Sequence, residues 1–166
     1  MPNKDKDILQ RLGVPWVTKD GFVDMAQLPL EGTLKQAMDK DEEEFRSSCR
    51  TLVSMYAASR SEAAIFLYGL LIQNKRNIKR KETIVEALGH IKTKESAELL
   101  FSELHQIISS NSTRNYINSL LRSLQRLPLE DIKEGFEKLL AERRWSQRMK
   151  NKFKAILNGE DFRYYG

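Results

Sequence analysis

The sequence predicts an all-α protein, a short α-solenoid of antiparallel helical hairpins, with a small N-terminal segment that could hold a β-hairpin. Three observations predict it. From about residue 41 apolar residues recur at spacings of three and four, the period of a helix buried on one face. No proline interrupts the chain between Pro29 and Pro128. Apolar triplets then repeat: Ala64, Tyr68 and Leu71 return 33 positions on as Ala97, Phe101 and Leu104, and 35 positions later as Ile132, Phe136 and Leu139. A helical hairpin with one apolar face cannot bury that face alone, whereas stacked copies bury a continuous core.

The N-terminal segment differs in composition. Pro2, Pro15, Pro29, Gly13, Gly21 and Gly32 all precede residue 33. Residues 1–45 carry six basic and ten acidic groups, a net of −4, and the remainder carries +9 of the total +5. Asp5 to Leu12 has the pattern of a short helix stopped by Gly13. Trp16 to Val23 comprises two β-prone pieces around Asp20-Gly21, a hairpin signal. An isolated hairpin is marginal in water. Residues 1–40 are therefore expected to cap the first helical hairpin, with Trp16 as anchor and Phe22 and Val23 in contact.

Asp41 followed by Glu42, Glu43 and Glu44 resembles a capped helix start, its carboxylates matched to the helix dipole. Phe45, Cys49, Leu52, Val53 and Tyr56 continue that helix. Ser59-Arg60-Ser61-Glu62 marks the next start. Helices are expected near 41–59, 62–75, 80–91, 94–108, 113–126, 130–143 and 146–157. Their short connections force antiparallel neighbours. The chain thus divides into a capping segment (1–40), a helical-repeat domain (41–158) and a C-terminal tail (159–166). The expected core includes Leu52, Tyr56, Tyr68, Leu71, Leu88, Leu100, Leu104, Leu121, Phe136 and Leu139.

The stretch from Glu82 to Leu100, with Ile84-Val85, Ala87-Leu88-Gly89, Ile91, a polar turn, Ala97 and Leu99-Leu100, resembles the HEAT-repeat family. The resemblance is best at 82–100 and extends more loosely over 42–143. It implies a curved solenoid used as a binding surface, and it implies no catalytic site, because the motif residues are packing residues.

Residues with chemistry to offer are few. His90, His105 and Cys49 show no metal-ligand spacing, and neither a nucleophile elbow nor a phosphate loop is present. No cofactor and no small-molecule substrate is implied, and the chain is expected not to be an enzyme. A helical-repeat enzyme acting on nucleic acid is the weakest of three readings, since no acid-plus-aromatic pocket can be identified. The single cysteine fits a reducing compartment, and no apolar run approaches the ~20 residues of a membrane span. A cytoplasmic protein without membrane contact is expected.

The basic residues are the exception. Lys75, Arg76, Lys79, Arg80 and Lys81 cluster in one short stretch, and Arg143, Arg144 and Arg148 begin another. In a stack of hairpins, the connections between hairpins share one edge. Those connections contain Lys75, Arg76, Lys79, Arg80, Arg114, Arg143 and Arg144, so a basic edge is expected there. Two explanations compete: cations at helix C-termini that complement the dipole and aid solubility, or a track for a phosphate backbone. The first leaves a non-enzymatic scaffold or adaptor for a protein partner, the leading reading. The second makes the chain a DNA- or RNA-binding protein.

Overall fold

A computed structural model describes Ile8 and residues 11–165. The expected helix from Asp5 to Leu12 lies outside the described residues except at Ile8, Arg11 and Leu12, where the Leu12 amide donates to the Ile8 carbonyl at 3.0 Å. Among the described residues the structure is all-α, with eight α-helices and no strand. Among the described residues no helix is long and apolar enough to cross a membrane. The chain forms two compact units, residues 1–70 and 71–166.

In the first unit the expected hairpin reduces to one antiparallel bridge, Val17 to Val23. The Thr18 amide donates to the Phe22 carbonyl and the Asp24 amide to the Trp16 carbonyl, both at 2.8 Å. Gly21, with φ 78°, turns the chain between them. Pairing stops there because the arms bury no apolar face: Phe22 is 64% exposed and Val23 41%, while Trp16 is half-buried. Of Trp16, Phe22 and Val23, only Trp16 is not exposed.

Helix α1 (Leu30–Ala37) was not anticipated. At eight residues it is too short to display a period, and its one signal is Pro29, whose fixed φ suits a helix start. It buries Thr33 and Ala37 and packs on α2 (Glu42–Ala57), with Gln36 Nε2 donating to Glu44 Oε2 at 2.6 Å. Asp41 caps α2 as expected, accepting from the Glu43 and Glu44 amides at 2.8 and 3.0 Å. The apolar face of α2 buries Phe45, Cys49, Leu52 and Met55.

Helix α2 ends in a tight reversal. The Arg60 amide reaches the Met55 carbonyl and the Ser59 amide the Tyr56 carbonyl, each at 3.0 Å, the pairing of a Schellman turn. Its pivot, Ser59, sits at φ 70°, where a Cβ crowds the following carbonyl. Arg60 ties the turn to the preceding segment by donating to the Leu28 carbonyl. Ser59→Gly is expected to stabilise the protein by about 1 kcal/mol, seen as a higher urea midpoint with unchanged slope. A midpoint that falls would show that the serine contributes more than its strain costs.

Helix α3 (Glu62–Gln73) runs across the boundary between the units. The second unit continues with α4 (Ile78–Leu88), α5 (Lys94–Gln106), α6 (Arg114–Gln125), α7 (Leu129–Ala141), α8 (Gln147–Leu157) and a 3-10 turn (Phe162–Tyr165). Asn77, Thr93 and Ser146 cap α4, α5 and α8 by accepting from the amides of Arg80, Ser96 and Met149. These starts lie within two residues of the expected ones. Helix α4 packs on α6, α5 on α6 and α7, and α7 on α8.

Eight of the ten expected core residues are buried; Tyr56 and Tyr68 are half-buried. Phe101, Phe136, Phe153 and Trp145 form a chain of rings, with centroids 5.1, 5.7 and 5.4 Å apart, linking α5, α7 and α8. Gly135 lets this happen: a Cβ there would lie 2.3 Å from the Phe101 ring. The segment 159–166, expected to be a tail, instead folds back through its described residues. Gly159 (φ 71°) pivots a second Schellman turn, and Phe162 is then 2% exposed. The apolar ring is what makes the return favourable.

Candidate functional site

The basic residues singled out in the sequence have different fates, all within the second unit. Lys75, Arg76 and Lys79 are exposed around the start of α4, and Arg80 is half-buried. Lys75 lines a cleft of about 350 Å³ with Leu71, Ile72 and Ile107. Lys81 does not belong to a solvent-facing edge. It is 8% exposed, its Nζ is 2.5 Å from Glu103 Oε2, and it lies 5.1 Å from the centre of the Tyr116 ring. The Tyr116 hydroxyl donates to the same carboxylate oxygen at 2.6 Å, and burial, reinforced by Glu103, pushes the phenol well above its ordinary pKa. A buried ammonium needs such partners, and these come from α5 and α6.

Arg144 is also committed. Its guanidinium donates to the Ile107 carbonyl at 2.7 Å and to the Leu104 carbonyl, satisfying the open end of α5, and stacks 4.0 Å from the centre of the Trp145 ring. It also donates to Glu142 at 2.9 Å. Burial favours protonation of Glu142, but hydrogen bonds from Arg144, His105 and Trp145 outweigh it and hold the carboxyl below its ordinary value. Arg143 is exposed.

Arg114 and Arg148, by contrast, are brought together. They line two adjoining clefts of about 300 and 250 Å³, which also share Asn118 and Lys152. One cleft is closed by Ser109, Ser110, Asn111 and Ser146, the other by Arg122, Phe162 and Arg163. The groove is built from helical spacing. Arg114, Asn118 and Arg122 occupy every fourth position of α6, and Arg148 and Lys152 do the same on α8. The returning 3-10 turn supplies the last wall.

Charge in this groove is unbalanced. Arg122 has a carboxylate at 3.7 Å in Glu86, and Arg163 is bound to Asp161 at 2.5 Å, an arrangement that holds the Asp161 carboxyl down at about 2. Arg114, Arg148 and Lys152 have no carboxylate partner among the described residues. Arg114 donates to Asn111 at 3.0 Å, and Lys152 donates to Asn118 at 3.4 Å. Burial, then the positive charges of Arg148 and Arg114, lower the Lys152 pKa below its ordinary value. Such a site favours an anion that would relieve all three.

The dipole works the same way. Arg114 is the first residue of α6 and Arg148 the second of α8, and neither helix has an acid in its first turn. These cations sit at the positive ends of their helices, the positions the dipole disfavours. Guanidinium groups without a carboxylate partner, placed in the first turns of two helices and lining one recess, have the chemistry to hold an anion.

Of the groove residues, Arg114, Arg148 and Lys152 stood out in the sequence, the last two in a basic cluster running from Arg143 to Lys154; Asn118, Arg122 and Arg163 did not. The four-residue spacing of cations on α6 and α8 was the available signal. Among the described residues no three His, Cys, Asp or Glu side chains converge as a metal site. The chain matches no known protein family, no curated protein and no solved structure.

Proposed function

We propose that the second unit is a short helical-repeat module of the HEAT kind that binds nucleic acid through its phosphate backbone, without turnover, in the groove lined by α6 and α8. The observation that carries this reading is the trio Arg114, Arg148 and Lys152, three cations in one recess with no carboxylate among the described residues to neutralise them. Solubility and dipole matching account for cations at helix C-termini, whereas Arg114 and Arg148 open their helices. The repeat reading is supported by like-on-like packing, α4 on α6 and α5 on α7, the contact that stacked hairpins make.

Binding of a fluorescent oligonucleotide as a function of salt tests the function. Affinity should fall linearly on a log–log plot, with a slope near −0.9 per phosphate contact on duplex DNA or −0.7 on a single strand. Arg114→Glu/Arg148→Glu should reduce binding to background and leave the thermal midpoint nearly unchanged. Lys75→Glu/Lys79→Glu, away from the groove, should have a smaller effect. No salt-sensitive binding at low ionic strength would sink the proposal and return the module to the other reading, a scaffold for a protein partner.

A further inference from the structure

Resting on the nucleic-acid reading above, we infer that the groove takes a single strand rather than a duplex, with a phosphate seated between Arg114, Arg148 and Lys152 and a base stacked on Tyr164. Two independent features lead there. The first is the recess. Lys152 is half-buried and common to both clefts, so an anion must enter the groove to reach it. A flexible single strand can lower one phosphate into a recess of this size. A duplex is a stiff rod carrying its phosphates on the outside, and it meets mainly the rim.

The second feature is aromatic. Tyr164 is 86% exposed, although it belongs to the turn whose neighbouring residues, Phe162 and Arg163, wall the groove. Phe162 anchors that turn in the core and the Arg163 guanidinium is bound to Asp161 through three hydrogen bonds to its two carboxylate oxygens, so both preceding positions are held. Tyr165 adds a further hold by donating to Glu160. A large ring exposed to water, next in the chain to two residues that line a cationic groove, presents a face on which an unpaired base can stack. In a duplex the bases are already stacked on each other and cannot use it.

The experiment compares labelled oligo(dT), oligo(U) and a duplex of equal length, about 12 nucleotides, within the site sizes of roughly 4–16 seen in single-strand binders. At matched salt the full chain should bind a single strand of either sugar more tightly than the duplex. Tyr164→Ala should weaken single-strand binding about 5- to 150-fold, the effect of one lost stacking contact, and leave duplex binding unchanged. Tyr164→Phe, which keeps the ring, should restore it. Equal affinity for both forms with a silent Tyr164→Ala would overturn this inference while the groove reading stood. Salt-sensitive binding to neither form would overturn both.

Discussion

Replacing Phe136 with alanine should lower the free energy of unfolding by about 3–5 kcal/mol. The ring is fully buried and is the middle member of the aromatic chain, edge-on to Phe101 at 5.1 Å and tilted against Phe153 at 5.7 Å. Phe153 in turn meets Trp145 edge to face. Deleting Phe136 therefore opens a cavity at the one place where α5, α7 and α8 converge. Collapse into it is resisted by the close approach of Gly135 to Phe101, which already brings backbone against ring. Phe136→Leu should cost less than half as much, since leucine refills most of the space. Urea titration followed by circular dichroism measures both. A Phe136→Ala loss below about 1 kcal/mol would mean that the ring chain contributes little to the core.

Lys81→Ala should have a comparable effect, about 3–5 kcal/mol, for a different reason. Alanine removes a buried ammonium and leaves the Glu103 carboxylate, 19% exposed, with the Tyr116 hydroxyl but without its cation. The cost is chiefly that of an uncompensated charge. Lys81→Met/Glu103→Gln removes both charges while glutamine keeps an acceptor for the phenol. That double variant should recover most of the loss, and a double-mutant cycle would read the coupling directly. If the double variant is as unstable as Lys81→Ala, the charged contacts of Lys81 with Glu103 and the Tyr116 ring are themselves net stabilising, and the loss is not that of an orphaned charge.

Much of this architecture could be read from residue order alone, and the reasons are local. Asp41, Asn77, Thr93 and Ser146 declare helix starts through chemistry confined to three or four residues. Leu88, Leu104 and Phe136 announce burial through their period. The bridge at Val17 was overestimated as a hairpin because pairing needs a surface to cover, and that surface is not encoded in Trp16 to Val23. The basic residues show the same division. Positive charge is visible at Lys81 and Arg144, but their partners lie 22 and 40 positions away, at Glu103 and Leu104. Grouping cations by connecting loop found Arg114 for the wrong geometric reason, and Arg148 was found only as part of a local run of charge. The groove is made by two helix faces, and Lys152, Arg122 and Arg163 join it only once α6, α8 and the returning turn are packed.

The hydrogen bonds joining distant elements of the second unit have a consequence for how it forms. Ser123 reaches Val85 across 38 positions, Arg144 reaches Leu104 across 40, and Lys152 reaches Asn118 across 34. The three spans are of similar length. Loop-closure entropy grows only logarithmically with span, so each docking step faces nearly the same small barrier. Docking can therefore proceed element by element, each step closing a loop of similar length. The groove lined by α6, α8 and the turn behind them is completed only after the last of these closures, because Arg114 and Lys152 stand 38 positions apart in the chain.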